Sequence, residues 1–173
     1  FETIVAAGPR SALPHARPSD RPLRRGDLVL FDFGATVDGY CSDMTRTFVL
    51  GPAAEWQRDA HQAVAVAQEA ATAALAAGVQ SRDVDAAARE TLRAAGLADR
   101  FGHGTGHGIG LEVHEAPRIY ARSDDVLQAG SVVTVEPGVY LPGRGGIRIE
   151  DDVVVEEGGA RVLTRFSREL VEL

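Results

Sequence analysis

The chain holds a single cysteine, Cys41, so it can form no intrachain disulfide, a usage that fits a reducing cytoplasm. No apolar run reaches membrane-spanning length and no signal peptide is visible, so a cytoplasmic protein without a membrane partner is expected. Basic residues are outnumbered, 18 against 25 acidic, for a net charge of -7. That balance argues against nucleic acid as a partner. The one basic cluster, Arg21, Arg24 and Arg25, reads as a solvated approach to a strand. Also missing are a Walker loop, a Gly-x-Ser-x-Gly elbow and paired cysteines. The glycines supply no triplet at i, i+2, i+5, and Arg118 stands where a His-Glu-x-x-His motif starting at His114 would need its second histidine. Nucleotide enzymes and serine or cysteine hydrolases are therefore disfavoured. An initial methionine is lacking too. Phe1 opens directly into an apolar pattern through Ala7, which reads as the interior of a domain whose N-terminal part is missing.

What is present suffices for one domain: 173 residues, 45% of them hydrophobic. Its organising stretch is Leu28–Leu50. Two strand patterns, Leu28–Thr36 and Tyr40–Val49, flank Asp38-Gly39, a strong hairpin signal. With those two as turn residues, Val37 faces Tyr40, Gly34 faces Asp43, and Asp32 faces Thr45. Asp32 and Asp43 then share a face one diagonal step apart, roughly 7–8 Å at the Cα level. Two carboxylates converging beside a glycine repel each other unless a cation sits between them. A single bulge would send them to opposite faces.

Before the hairpin, Phe1–Ala7 reads as a strand and Arg10–Asp20, which contains His15, as a loop. After it, Ala53–Ala77 reads as a helix with Ala60, Val64, Ala67, Ala71 and Leu75 inward and Gly78 closing it. A second helix runs from a capping Ser81 to Ala95, ended by Gly96. The alanines fit close-packed helices on a sheet, or simple helix propensity, equally well. Leu111–Glu115, Ser131–Val135 and Ile147–Val155 read as strands, and Arg161–Leu173 carries a final apolar pattern. Strands on both sides of a helical pair make an α+β arrangement, with helices backing a largely antiparallel sheet.

Between Phe101 and Gly110, glycines alternate with His103, Thr105, His107 and Ile109, which forbids a helix and leaves each imidazole on irregular backbone. His114 follows, with Glu112 on its strand face. Glu136 ends one strand, Glu150 lies in another, and Arg148 shares the face of Glu150 as an ion pair or a brace. Taken singly, each acid reads as a surface or capping residue and each histidine as a hydrogen-bonded loop residue. Tyr140 and Trp56 read as packing residues.

The combination says more. Asp32–Ala35, Tyr40–Phe48, Gly102–Glu115, Thr134–Gly138 and Gly146–Asp151 together resemble the metal-dependent pita-bread peptidases, the Xaa-Pro dipeptidases (prolidases) and aminopeptidases P. The resemblance covers essentially the whole chain. It implies a curved, mostly antiparallel sheet backed by helices, with 1–173 as the C-terminal catalytic domain lacking its first helices and the usual N-terminal domain. It places metal ligands on Asp32, Asp43, His107, Glu136 and Glu150, with Asp43 and Glu150 bridging two divalent ions. Oxygen-rich donors suit Mn²⁺, with Co²⁺ or Zn²⁺ also able to bind. A water between the ions becomes a hydroxide nucleophile. Glu136 would shuttle its proton to the leaving nitrogen. His103 and His114 would position substrate and stabilise the intermediate, His15 would line the proline side, and Arg148 would orient a ligand carboxylate. The implied activity is hydrolysis of the Xaa-Pro bond in dipeptides, or release of the N-terminal residue from longer peptides, by a protein dimeric at full length. A non-catalytic binding module on the same fold is the alternative of a different class; such members have typically lost ligands, whereas all five are present here.

Overall fold

The computed structural model describes residues 2–173, so Phe1 of the expected first strand lies outside them. That strand, β1, spans Ile4–Ala7. A 3-10 turn, Gly8–Ala12, occupies the front of the expected loop. The hairpin follows as β2 (Leu28–Phe33), β3 (Thr36–Val37), β4 (Tyr40–Cys41) and β5 (Met44–Val49). Asp38 at φ 50° and Gly39 at φ 85° both take the left-handed conformation that a type I′ turn demands. The register this turn sets, Val37 with Tyr40, carries through Asp32 with Thr45 to Leu28 with Val49. Asp32 and Asp43 therefore stay on one face.

Helix α1 (Glu55–Ala73) buries Ala60, Val64, Ala67 and Ala71, and Leu75 is buried just beyond its end. It stops short of the expected Ala77 because the sheet side offers other acceptors. Ala77 N–H donates to Glu156 O and Gly78 N–H to Leu127 O. Gly78, at φ 85°, thus turns the connecting loop rather than closing the helix. Helix α2 (Ser81–Ala94) is entered through Gln80, and Ser81 Oγ donates to Arg118 O at 2.9 Å instead of capping.

Strand β6 (Gly106–Gly108) is short but central, so His107 sits on a strand, beside a break in its register with the next strand between His107 and Gly108, whereas His103 lies on irregular backbone as expected. β7 (Glu115–Ile119) begins where the expected strand Leu111–Glu115 ends. Residues 111–114 turn instead, pinned by Glu112 N–H donating to the Glu115 carboxylate at 3.0 Å, and His114 rides on that turn. Next come β8 (Val132–Val135), β9 (Gly138–Leu141), β10 (Gly145–Arg148), β11 (Asp151–Glu156) and β12 (Gly159–Val162). The expected strand Ile147–Val155 is broken at Ile149-Glu150, where the chain changes partners: β10 pairs with β9, whereas β11 pairs with β8 and β12. Glu150 N–H donates to Thr45 O at 3.1 Å, which turns this break toward the hairpin.

The sheets run β1-β2-β5 and β12-β11-β8-β6-β7, with two-stranded ribbons β10-β9 and β3-β4, and every named strand pair is antiparallel. The α1 and α2 faces pack with Val133, Val135, Ile147, Val153 and Val155 into one core. This is the expected α+β class. Among the described residues, no helix is long and apolar enough to cross a membrane.

Gly106 shows how tightly the centre closes. A Cβ there would lie 1.9 Å from Thr134 O, a backbone atom that cannot yield cheaply. Gly106→Ala is expected to cost about 3 kcal/mol, read as a lower midpoint in chemical or thermal unfolding; an unchanged midpoint would contradict this packing.

Candidate metal centre and its cavity

The fold brings the five expected ligands to one place from separate elements. Asp32 lies on β2, Asp43 just before β5, His107 on β6, Glu136 just after β8, and Glu150 at the break between β10 and β11. All five, together with His15, His103, His114 and Arg148, line a single cavity of about 550 Å³. Ligand atoms of Asp43, His107 and Glu150 lie within 4.8 Å of one another. His107 Nε2 is 3.4 Å from Glu136 Oε1.

Their electrostatics are those of a site built for cations. Burial, then the charges of Asp32, Glu136 and Asp152, push the Asp43 carboxyl up to about 8. Loss of solvent lifts Glu136 to about 7, against the pull of Arg148. Burial, with Glu136 and Asp43 nearby, drives Glu150 well above the carboxylate range. Burial lowers His107 to about 4, so its ring is neutral at pH 7. Its Nδ1 is 3.0 Å from Gly108 O, which can only accept, so the proton sits on Nδ1 and the lone pair of Nε2 faces Glu136. Asp32 Oδ1 and Asp43 Oδ1 are buried without a hydrogen-bond partner among the described residues. Orphaned carboxylate oxygens beside a free imidazole lone pair are the donor set of a divalent metal site, and the residues fit one.

Around this cluster runs a hydrogen-bonded frame. Arg148 Nη2 donates to Asp32 Oδ2 at 2.5 Å, its Nε to Thr45 Oγ1 at 3.1 Å, and its Nη1 to Tyr140 Oη at 2.9 Å. Thr45 Oγ1 in turn donates to Glu150 Oε2 at 2.6 Å. One arginine thus orients two of the acids, consistent with its expected role. His103 Nδ1 donates to Gly104 O at 2.7 Å, which leaves Nε2 to accept from the Tyr140 hydroxyl at 2.7 Å. Both nitrogens are engaged, so in this arrangement His103 has no free N–H for a substrate. It offers the carbon edge of its ring as wall. His15 and His114 are exposed at the cavity mouth, and the His114 ring stands 4.3 Å from that of His107.

Sequence reasoning missed three residues here. Tyr140 is not mere packing but the link between Arg148 and His103; the β9–β10 pairing that places it leaves no mark on local sequence. Thr45 was legible as the partner of Asp32, though not as a donor to Glu150. Arg118 also lines the cavity, and its side chain forms no ion pair among the described residues.

Residues 1–157 match the family model described as metallopeptidase family M24. The chain belongs to metallopeptidase family M24. An M24 relative, the Xaa-Pro dipeptidase of Pyrococcus furiosus, is 48% identical over 171 residues, 99% of this chain and 49% of that protein. Among solved structures, the X-Pro aminopeptidase from Thermotoga maritima superposes with a TM-score of 0.97 at 48% identity, covering 100% of this chain and 49% of that one. The Xaa-Pro dipeptidase from Bacillus anthracis gives 0.98 at 47% identity, covering 100% and 49%. The pita-bread architecture expected of an M24 chain is thereby established. The chain spans about half the length of the curated relatives it matches.

Two predictions follow from the acids. Asp43→Ala removes the residue that faces both Asp32 and Glu150, and is expected to abolish metal uptake measured by elemental analysis; full metal content in that variant would refute the ligand assignment. In the metal-free protein, the raised carboxyls hold protons that an unfolded chain has already released, so stability falls as pH climbs toward 8. The buried histidines His61, His103 and His107 act oppositely, but only between about 4 and their ordinary 6.5. Above pH 6.5 the acids act alone. The metal-free melting temperature should therefore drop between pH 6.5 and 8, and Mn²⁺ should remove the drop; a metal-free protein that grows more stable across that window would contradict the charge assignment.

Proposed function

We propose that this chain is the catalytic part of a dinuclear metallopeptidase that hydrolyses the Xaa-Pro bond of dipeptides. The observation that carries the reading is the convergence of Asp43, His107 and Glu150 to within 4.8 Å at the floor of a cavity, with carboxylate oxygens left unpaired. Asp32, Asp43, His107, Glu136 and Glu150 would hold two divalent ions, with Mn²⁺ favoured by the oxygen-rich set and Co²⁺ or Zn²⁺ able to substitute. When bound, such ions supply an acidified water and polarise the scissile carbonyl.

The chain's own side chains do the rest. Glu136 opens onto the cavity, and its raised affinity for protons suits it to take one from water and pass it to the leaving nitrogen. Asp43 and Glu150, whose ligand atoms lie within 4.8 Å of each other, would both hold metal. Arg148 and Thr45 hold Asp32 and Glu150 in fixed orientations, so little reorganisation is needed during the reaction. His114 at the mouth can donate an N–H to the carbonyl oxygen as it gains charge. His103, held from behind by Tyr140, and His15 also line the cavity, and their flat rings suit a ring rather than a flexible side chain. Short proline-containing peptides are the partners this cavity fits.

The dipeptidase reading is favoured over aminopeptidase P by Arg118. It is an exposed cation in the same cavity with no acid paired to it among the described residues, suited to the free carboxylate of a C-terminal proline. A non-catalytic module is disfavoured because all five residues that the resemblance assigns as ligands are present and line one cavity. The test is a comparison of a Xaa-Pro dipeptide with a Xaa-Pro tripeptide on the Mn²⁺-loaded protein, alongside Arg118→Ala. The variant should lose about 10- to 100-fold in kcat/KM on the dipeptide, the scale of one charge-assisted contact, and much less on the tripeptide. Equal losses on both, or preferred cleavage of the tripeptide, would turn the assignment toward aminopeptidase P. No cleavage of either by metal-loaded protein would end the peptidase reading.

A further inference from the structure

Helix α2 carries a charged pair that the metal chemistry does not use. Asp85 is completely buried, and Arg89, one turn further on, holds it through Nε at 2.6 Å and Nη2 at 3.2 Å. A plain helical ion pair would end there. This one reaches outward to the segment 101–105, which has no regular secondary structure. Arg89 Nη1 donates to Phe101 O at 3.1 Å and Nη2 to His103 O at 2.5 Å. The guanidinium also lies 4.4 Å from the centre of the Phe101 ring. Asp85 Oδ1 accepts from Thr105 N–H at 3.2 Å and from Thr105 Oγ at 2.8 Å.

The pair therefore grips that segment at both ends, by carbonyls at one and by a donor residue at the other. Between the grips, Gly102 and Gly104 leave the backbone few restraints of its own. The side chain the segment delivers to the cavity is His103, which reaches Tyr140 and through it Arg148. At its far end, Thr105 O accepts the N–H of Glu136 at 2.7 Å.

We propose that Arg89 and Asp85 are positioning residues, which hold the His103 segment in register with Tyr140 and so fix the cavity wall against which substrate packs. This rests on the peptidase reading above. Neither residue lines the cavity. A guanidinium meets this geometry because its planar fork serves the carboxylate and two carbonyls at once, which an ammonium cannot do. Without it, the carbonyls of Phe101 and His103 lose their charged donor, the wall loosens, and binding suffers before chemistry does.

The test uses the metal-loaded protein and the variants Arg89→Met, Arg89→Lys, Arg89→Ala and Asp85→Asn. Arg89→Met should raise KM for a Xaa-Pro dipeptide about 10- to 100-fold, the range of residues that orient a site from behind. Its kcat should change far less, and its metal content should equal that of the parent. Lysine should recover little, whereas guanidinium ions added to Arg89→Ala should lower KM again. In the zinc-loaded protein, the His103 imidazole signals, identified by their loss in His103→Phe, should shift in Arg89→Met. Where Arg89→Met fails to fold, Asp85→Asn carries the same expectations. Unchanged KM with unmoved His103 signals would overturn the proposal. So would a loss that merely tracks lowered metal content and is not relieved by guanidinium. Should the parent protein itself cleave no peptide, the peptidase reading fails, and the His103 signals alone decide the positioning role.

Discussion

Four carboxylates and one neutral imidazole, most of them buried, line one cavity, and the whole architecture answers to that fact. Gathering like charges at low dielectric is costly, and proteins ordinarily avoid it by protonating some of them. Here Asp43, Glu136 and Glu150 all show that pressure toward protonation. Among the described residues, Arg148 is the cation that hydrogen-bonds one of these carboxylates, that of Asp32. A single guanidinium cannot balance so much negative charge. Divalent ions can, and in the function proposed above they would make the cluster reactive.

The fold serves this cluster by bringing two structural units face to face. The hairpin contributes Asp32 and Asp43 from strands whose register is set by a local turn. The larger sheet contributes His107 and Glu136 from neighbouring strands, and Glu150 from the point where the chain leaves one sheet for another. Thr45 and Arg148 join the two units across the cavity. Removing side chains from β6, through Gly106 and Gly108, is what lets His107 sit so close to its neighbours. Gly102 and Gly104, just before that strand, leave their backbone few restraints, and the α2 pair and the Tyr140 link supply them from outside.

Much of this was legible in the chain. The pairing of Asp32 with Thr45 follows from Asp38-Gly39, because turn chemistry is local and the side-chain period of a strand is fixed. The helices were readable for the same reason, through their alanine-rich inner faces. What escaped depends on contacts between distant segments. The start of β7 is set by its pairing with β6, so His114 was assigned to a strand when it stands on a turn. The apolar run around Ile149 hid a change of sheet, since burial on both sides looks alike whether or not a strand is continuous. Likewise Tyr140 looked like packing until Gly146 was found opposite it. The list of candidate ligands came from the resemblance of the motifs to the pita-bread peptidases, since each residue read singly is a surface acid or a loop histidine; the structure lines one cavity with all five. Of the frame around them, only the brace by Arg148 was expected.

The claim beneath all of this is that the acids are held together by a pair of dications. The most direct measurement is anomalous diffraction at the manganese edge from crystals grown with Mn²⁺. The account predicts a pair of adjacent peaks enclosed by Asp32, Asp43, His107, Glu136 and Glu150. Density map peaks elsewhere, or these side chains closed around water with no anomalous signal at saturating Mn²⁺, would contradict it.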